Sequence, residues 1–393
     1  SVAPAFPTAA EGEQGSWRAG AAKLAITPRQ PTWMAGYASR TKPSEGAIHD
    51  IWSKALWLED GRGRSAVLIT LDVCGIGRDL ALPIREKLAA KHRLDLSAIV
   101  IACSHTHSGP VVGTNLITMY PLDAEQRDRV AKYAEFLTTT IEQVVDQAKA
   151  SVGPVVIAAE SGRADFAVNR RENTEPAVPE QRAKIALAGP VDHDVPVLRV
   201  TSNDGSLRAV VFGYACHNTV LSINQISGDY AGFAQVALER DHPGAIALFM
   251  SGCGGDQNPI PRREIRQATG YGEQLAKAVE QVLRQGGRPI SGELSLRSTE
   301  IPLKLADVHD KSYWSNEAAS SDRYRAARAN ALLQTIESQG KLSPTYPYPI
   351  TVWKLGGEFT WIFLGGEVVV EYSLRLKRNL GSSRTWVTAY CND

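Results

Sequence analysis

Residues 65–76, SAVLITLDVCGI, form a near-continuous run of apolar and β-branched side chains, which predicts a strand buried on both faces. ALPIREKLAAKHRLD (81–95) spaces its apolar residues at helical intervals, and LSAIVIACSHTHSGP (96–110) returns to the continuous pattern. Strand, helix and strand at this spacing make a βαβ unit with parallel strands. A long amphipathic helix follows from 124 and stops at Gly153. The alternation then recurs. A strand over 207–219 leads to a helix over 229–244 that closes on Pro243-Gly244, and a strand over 245–259 ends in a glycine-rich turn. A helix over 263–286 comes next, then an alternating, antiparallel-looking stretch at 292–305 and a helix over 323–340. Residues 348–366 read as a hairpin with Gly356-Gly357 near its turn, and 367–381 as the last helix. The pattern predicts an α/β protein: one large domain with a mixed, mainly parallel central sheet flanked by helices.

Composition narrows the class. The 393 residues are 43% hydrophobic, enough for a sizeable core. The first 16, SVAPAFPTAAEGEQGS, are small, polar and proline-containing, and read as a flexible arm left by signal-peptide cleavage, with one domain over 17–393. That reading places the protein outside the cytoplasm, secreted or periplasmic. A formal charge of +1 with no basic run argues against nucleic acid as the main partner. No apolar run approaches the roughly 18 residues of a membrane span, which leaves at most transient contact with a membrane surface. Nothing in the sequence sets the oligomeric state. The five cysteines are scattered without CxxC spacing, so they signal neither a zinc ribbon nor a disulfide framework and read as buried free thiols.

Chemistry gathers at three predicted strand ends, where open α/β sheets bind ligands. They are CSHTHSGP, with His105 and His107; ACHNTV, with His217; and SGCGGDQNP, with Asp256 and Asn258. Positions i and i+2 of a strand share a face, so His105 and His107 are expected to enter one pocket. Two imidazoles at a buried strand end are costly without partners. With His217 they suit a zinc site that leaves one position open. Asp229, in SGDYAG, and Asp256 read equally as turn or helix caps. His92, His193, His242 and His309 are read as ordinary hydrogen-bonded residues, and so is His49 unless it lines the cleft. There is no GxSxG elbow and no phosphate loop.

HTHSGP, CHNTVLSINQISGDYAGFA, GCGGDQNP and GGEVVVEYSLRLK, in this order, resemble the signature blocks of the neutral (alkaline, non-lysosomal) ceramidase family. AGAAKLAITPRQPTWMAGY and GPVDHDVPVLRV are similar to further blocks. The resemblance implies one zinc per chain in an amidase site, with His105, His217 and Glu367 as ligands. It implies His107 as general acid/base and Arg170, in AVNRR, as a substrate-holding residue. The family's Gly-Asp-x-Ser-Pro serine is Asn258 here. An amide is no nucleophile, so metal-activated water is the expected attacker, with Asn258 as an oxyanion donor. The family's tyrosine ligand falls beyond the last block, so the fourth ligand is Tyr390 or water, and the family's C-terminal immunoglobulin-like domain is not expected. The implied activity is hydrolysis of an amide, such as that of an N-acyl lipid. The alternatives are another ester or amide conjugate, or a silent binding protein that keeps the cleft.

Overall fold

The computed structural model describes residues 17–393, so the expected arm at 1–16 lies outside the described residues. In chain order the elements are β1 (Trp17–Ala25), β2 (Trp52–Glu59), β3 (Ser65–Leu71), α1 (Arg78–His92), β4 (Ile99–Cys103), α2 (Ala124–Ala150), β5 (Gly153–Arg163), β6 (Ala167–Asn169) and α3 (Val178–Ala183). Then come β7 (Asp194–Ser202), β8 (Leu207–Tyr214), α4 (Asp229–Asp241), β9 (Ile246–Ser251), β10 (Gln257–Pro259), α5 (Ile265–Gln285), β11 (Arg288–Ile290) and β12 (Leu294–Lys304). The last are α6 (Lys311–Ala318), α7 (Arg323–Gln339), β13 (Thr345–Leu355), β14 (Phe359–Leu364), α8 (Val370–Leu380) and β15 (Thr385–Thr388).

The large sheet runs β4-β3-β2-β1-β5-β7-β8-β9, with β11 beside β5. Both expected βαβ units exist, as the parallel pairs β3/β4 and β8/β9. They occupy the two ends of the sheet. Every pairing between them is antiparallel, so the sheet is mixed as expected but mainly antiparallel rather than mainly parallel. The reason is local. The continuous apolar runs belong to the parallel edges, whereas β1, β2, β5 and β7 lie between them and lack that signature. β1 (WRAGAAKLA) is rich in alanine and glycine, and β5 opens on Gly-Pro; both take their structure from neighbours more than from propensity.

Side-chain alternation sorts the sheet's two faces. Trp57, Val67, Ile69 and Ile101 pack under Leu88 of α1 and Leu137 and Ile141 of α2. Val197, Phe212 and Phe249 pack under Leu238 of α4 and Leu275 and Val279 of α5. The opposite face buries Leu56, Leu68, Val100 and Leu248 against Trp353, Trp361, Phe363 and Trp386 of a second sheet, β12-β13-β14-β15. The Gly356-Gly357 turn joins β13 to β14, as the sequence predicts, with φ of 62° and 73° that other residues rarely adopt.

The large sheet coils until its edges meet. Lys54, buried on β2, donates to Ala247 O at the start of β9 and to Glu239 of α4, each at 2.7 Å. At the other end, residues 389–392 staple the edges together. Ala389 N donates to Ser251 O at 3.0 Å, Cys103 N to Tyr390 O at 3.1 Å and Asn392 N to Ile101 O at 2.7 Å. The ends of β4, β8 and β9 therefore face one cleft. The α6–α7 pair, inserted between β12 and β13, leans on its rim, where Arg323 Nη2 donates to Ala38 O at 3.1 Å. Among the described residues no helix is long and apolar enough to cross a membrane. All five cysteines are free and buried.

Candidate metal centre

β4 ends at Cys103, so strand alternation does not bring the paired histidines together. His105 adopts a left-handed φ of 59°, a conformation that costs a residue with a Cβ on the order of 1 kcal/mol. That turn folds His107 back until its Nε2 lies 3.1 Å from Nε2 of His105. Backbone bonds hold the turn: His105 N donates to Val73 O, and His107 N to Asn218 O, each at 3.0 Å. His217 follows β8, and Glu367 sits in the turn between β14 and α8.

Donor atoms of His105, His217 and Glu367 lie within 4.8 Å of one another. Glu367 Oε2 is 3.5 Å from His105 Nε2, and Oε1 is 3.3 Å from His217 Nε2. The other nitrogens of the two rings are committed. His105 Nδ1 faces Cys74 O at 2.7 Å, and His217 Nδ1 faces Gly254 O at 2.6 Å. A carbonyl only accepts, so both Nδ1 atoms carry hydrogen, which leaves each neutral ring with a bare Nε2. Two lone pairs then confront the carboxylate. A cation placed among them would satisfy all three acceptors at once, and a backbone carbonyl behind each imidazole is how metal-binding histidines are oriented. The residues fit a borderline divalent ion such as zinc.

Electrostatics favour the same state. Burial, and then the proximity of His217, bring the His105 imidazole down to about 3. Burial raises the Glu367 carboxyl, but the neighbouring His217, His105 and Arg170 outweigh that and bring it down to about 2. At neutral pH His105 is thus neutral and Glu367 ionised, as metal ligands must be. Glu367 is 44% exposed and the two imidazoles at most 7%, so the carboxylate marks the open side of the cluster.

His107 differs from the pair. Its Nδ1 is buried and has no hydrogen-bond partner among the described residues. Burial and the neighbouring imidazoles push its pKa well below the ordinary value. Cys74 also approaches the cluster, with Sγ 3.7 Å from His105 Nδ1, but burial holds its thiol up at about 12, so it is no thiolate ligand at neutral pH. Tyr390 stacks on His105 with ring centroids 4.3 Å apart, and its buried hydroxyl has no partner among the described residues.

The structure brings Arg170 to the cluster. Its Nη2 donates to Glu367 Oε1 at 3.1 Å and to Gly255 O at 2.7 Å. Asn258 lies beside it on β10, with its amide oxygen facing the Thr219 hydroxyl at 3.5 Å, and none of its hydrogen bonds reaches His105, His217 or Glu367. Asp256 accepts from Val370 N at 2.9 Å, which caps α8 just after Glu367. Asp229 is fully buried and accepts from the backbone N–H groups of Val220, Leu221 and Tyr230. Both aspartates organise turns. His49 Nε2 accepts from Gly228 N at 2.9 Å, the bonded role expected of it. Tyr37 and Arg40, which touch His107, carry no motif of their own; the only signal near them is the block ending in Tyr37.

A mixed, coiled α/β sheet with a His-His-Glu cluster at its strand ends defines the class. The chain belongs to the neutral/alkaline non-lysosomal ceramidase family, whose N-terminal model matches residues 17–260. It is 25% identical to neutral ceramidase B of Dictyostelium discoideum over 241 residues, 58% of this chain and 33% of that protein. It is 24% identical to the neutral ceramidase of Pseudomonas aeruginosa over 305 residues, 69% of this chain and 43% of that protein. The chain thus spans well under half the length of these curated relatives. The crystal structure of the Pseudomonas aeruginosa enzyme superposes with a TM-score of 0.73 at 20% identity, covering 97% of this chain and 68% of that one. A ceramidase complexed with C2 gives 0.71 at 20% identity, over 96% of this chain and 69% of that one. The fold is that of neutral ceramidase.

Proposed function

We propose that the chain is a zinc-dependent hydrolase of a linear amide, ceramidase-like, acting on an N-acyl lipid. The observation that carries this reading is the pair of bare Nε2 atoms of His105 and His217 facing Glu367, with His107 beside them. Family membership supports the choice of an amide. His105, His217 and Glu367 hold one zinc, and the unpartnered Tyr390 hydroxyl is the candidate fourth donor. Bound zinc supplies a Lewis acid that polarises a carbonyl and lowers the pKa of water to roughly 7. His107 takes the proton from the attacking water and returns it to the leaving amine. Arg170 holds Glu367 and borders the open side, where it meets the polar end of the substrate. Asn258 contributes an amide that orients or polarises the scissile carbonyl. Neither needs to become covalently attached to the acyl group.

Asn258 also favours a second reading, in which the same centre cleaves a different ester or amide conjugate. One experiment addresses both. Purified protein is analysed for metal, then assayed with zinc against N-acyl sphingoid amides, simple N-acyl amides and the corresponding esters. One equivalent of zinc, lost in His217→Ala, with turnover of the N-acyl lipid is expected. Substoichiometric zinc that no incubation raises would sink the metal centre, and turnover confined to other conjugates would select the second reading.

A further inference from the structure

Gly36, Tyr37 and Arg40, in the loop between β1 and β2, surround His107. Gly36, at φ +91°, lies flat against the imidazole, where a Cβ would come within 2.3 Å of His107 Cγ. The Tyr37 ring meets the imidazole edge-on, with centroids 4.9 Å apart and planes at 66°. Its hydroxyl donates to Leu221 O at 3.0 Å, which anchors the ring to the segment following His217. Arg40, 6% exposed, donates from Nη2 to His107 O at 2.8 Å. Its Nη1 donates to Ile223 O at 2.9 Å and Asn224 Oδ1 at 2.8 Å. The guanidinium also sits 5.3 Å from the centre of the Tyr37 ring.

These contacts answer a need specific to His107. His105 and His217 are each oriented by a carbonyl at Nδ1, whereas Nδ1 of His107 has no partner. Its ring must therefore be held by shape and through its backbone. We infer that Tyr37 and Arg40 are positioning residues that clamp the His107 ring at the working angle beside the metal centre. The inference rests on the proposed role of His107 and adds the device that makes an imidazole unanchored at Nδ1 effective. A buried arginine here is costly unless its donors are used, and three hydrogen bonds from its Nη1 and Nη2 go to the two segments that frame the cleft.

The test uses the full chain. In metal-free protein labelled with ¹⁵N-histidine, Arg40→Met and Tyr37→Leu should shift or broaden the ring signals of His107, identified by their loss in His107→Ala. The signals of His105 and His217 should stay in place. In zinc-loaded protein with octanoyl p-nitroanilide as probe, Arg40→Met should keep one zinc. It should lower kcat by up to about 10²-fold, the scale of a 1 Å misplacement, with KM nearly unchanged. Arg40→Lys should restore part of the rate. In a His107→Ala background Arg40→Met should cost nothing more, because its effect runs through that ring. Equal losses in both backgrounds, or unmoved His107 signals in Arg40→Met, would overturn the clamp. Undiminished turnover in His107→Ala would instead overturn the acid/base reading, while the ring signals still report whether the clamp exists.

Discussion

The three central histidines are chemically alike in sequence and differ only in what stands behind each ring. His105 and His217 each hand a hydrogen to a carbonyl, and His107 does not. His107→Ala is therefore expected to retain zinc and lose roughly 10²- to 10⁴-fold in turnover. Metal analysis alongside the assay checks this, and loss of the metal would make His107 a ligand. The pairing of His105 with His107 was legible in the sequence. The left-handed turn that produces it was not, because φ at a histidine leaves no mark in composition. Asp229 permits a second residue-scale test. Burial raises its carboxyl to about 6, although three backbone donors oppose the shift. A folded value above the unfolded one means that the protonated form stabilises the fold. That contribution is complete below about pH 4 and is lost as pH rises through about 6, by roughly 3 kcal/mol. Asp229→Asn cannot titrate. The wild-type unfolding free energy, relative to the variant, should therefore fall across this window in urea titrations of metal-free protein. A difference that stays constant with pH would refute the assignment.

At the scale of elements, the βαβ units and most long helices were readable because a doubly buried strand or a one-sided helix imposes its period on the sequence. The middle strands escaped because alanine-rich or glycine-opened segments show no period, and their pairing is dictated by partners far along the chain. Glu367 was placed at the start of the last helix; it lies just before it, and the placement of α8 decides where the carboxylate points. That placement depends on a buried cluster. Lys377 Nζ donates to Asp192 at 2.8 Å and to Asp194 at 2.8 Å, and Ser373 Oγ donates to Asp192 at 2.6 Å. Burial works against the ammonium, yet the two carboxylates more than offset it and hold its pKa above the ordinary value. Lys377→Met leaves Asp192 buried without a cation, with only the Ser373 hydroxyl and the Asp194 N–H as donors, and should cost about 3–5 kcal/mol in chemical denaturation. The double variant Lys377→Met/Asp192→Asn should recover much of that. A loss below 1 kcal/mol in the single variant would show that other contacts fix α8.

For the molecule as a whole, the cluster joins residues 105, 217 and 367, which the chain brings together only when both sheets are complete. Metal bound there should stabilise the entire fold. At a free zinc concentration 100 times Kd the gain is about 2.7 kcal/mol, which for a domain of this size raises Tm by about 4 °C. Chelation followed by scanning calorimetry should show the drop, and His217→Ala should abolish it; a chelator-insensitive wild type would argue against the centre.

The staple at 389–392 has a consequence for synthesis. A ribosome releases β4, with His105 and His107 behind it, long before Tyr390 and Asn392 can bond to its edge. At about 5–20 residues per second the wait is on the order of 15–60 s. Throughout it the β4 edge has unpaired backbone groups, and the apolar face that Trp353, Trp361 and Trp386 will cover lies bare. A nascent chain in this state is a substrate for holding chaperones, and the cleft takes shape only once residue 392 has emerged rather than growing with the chain.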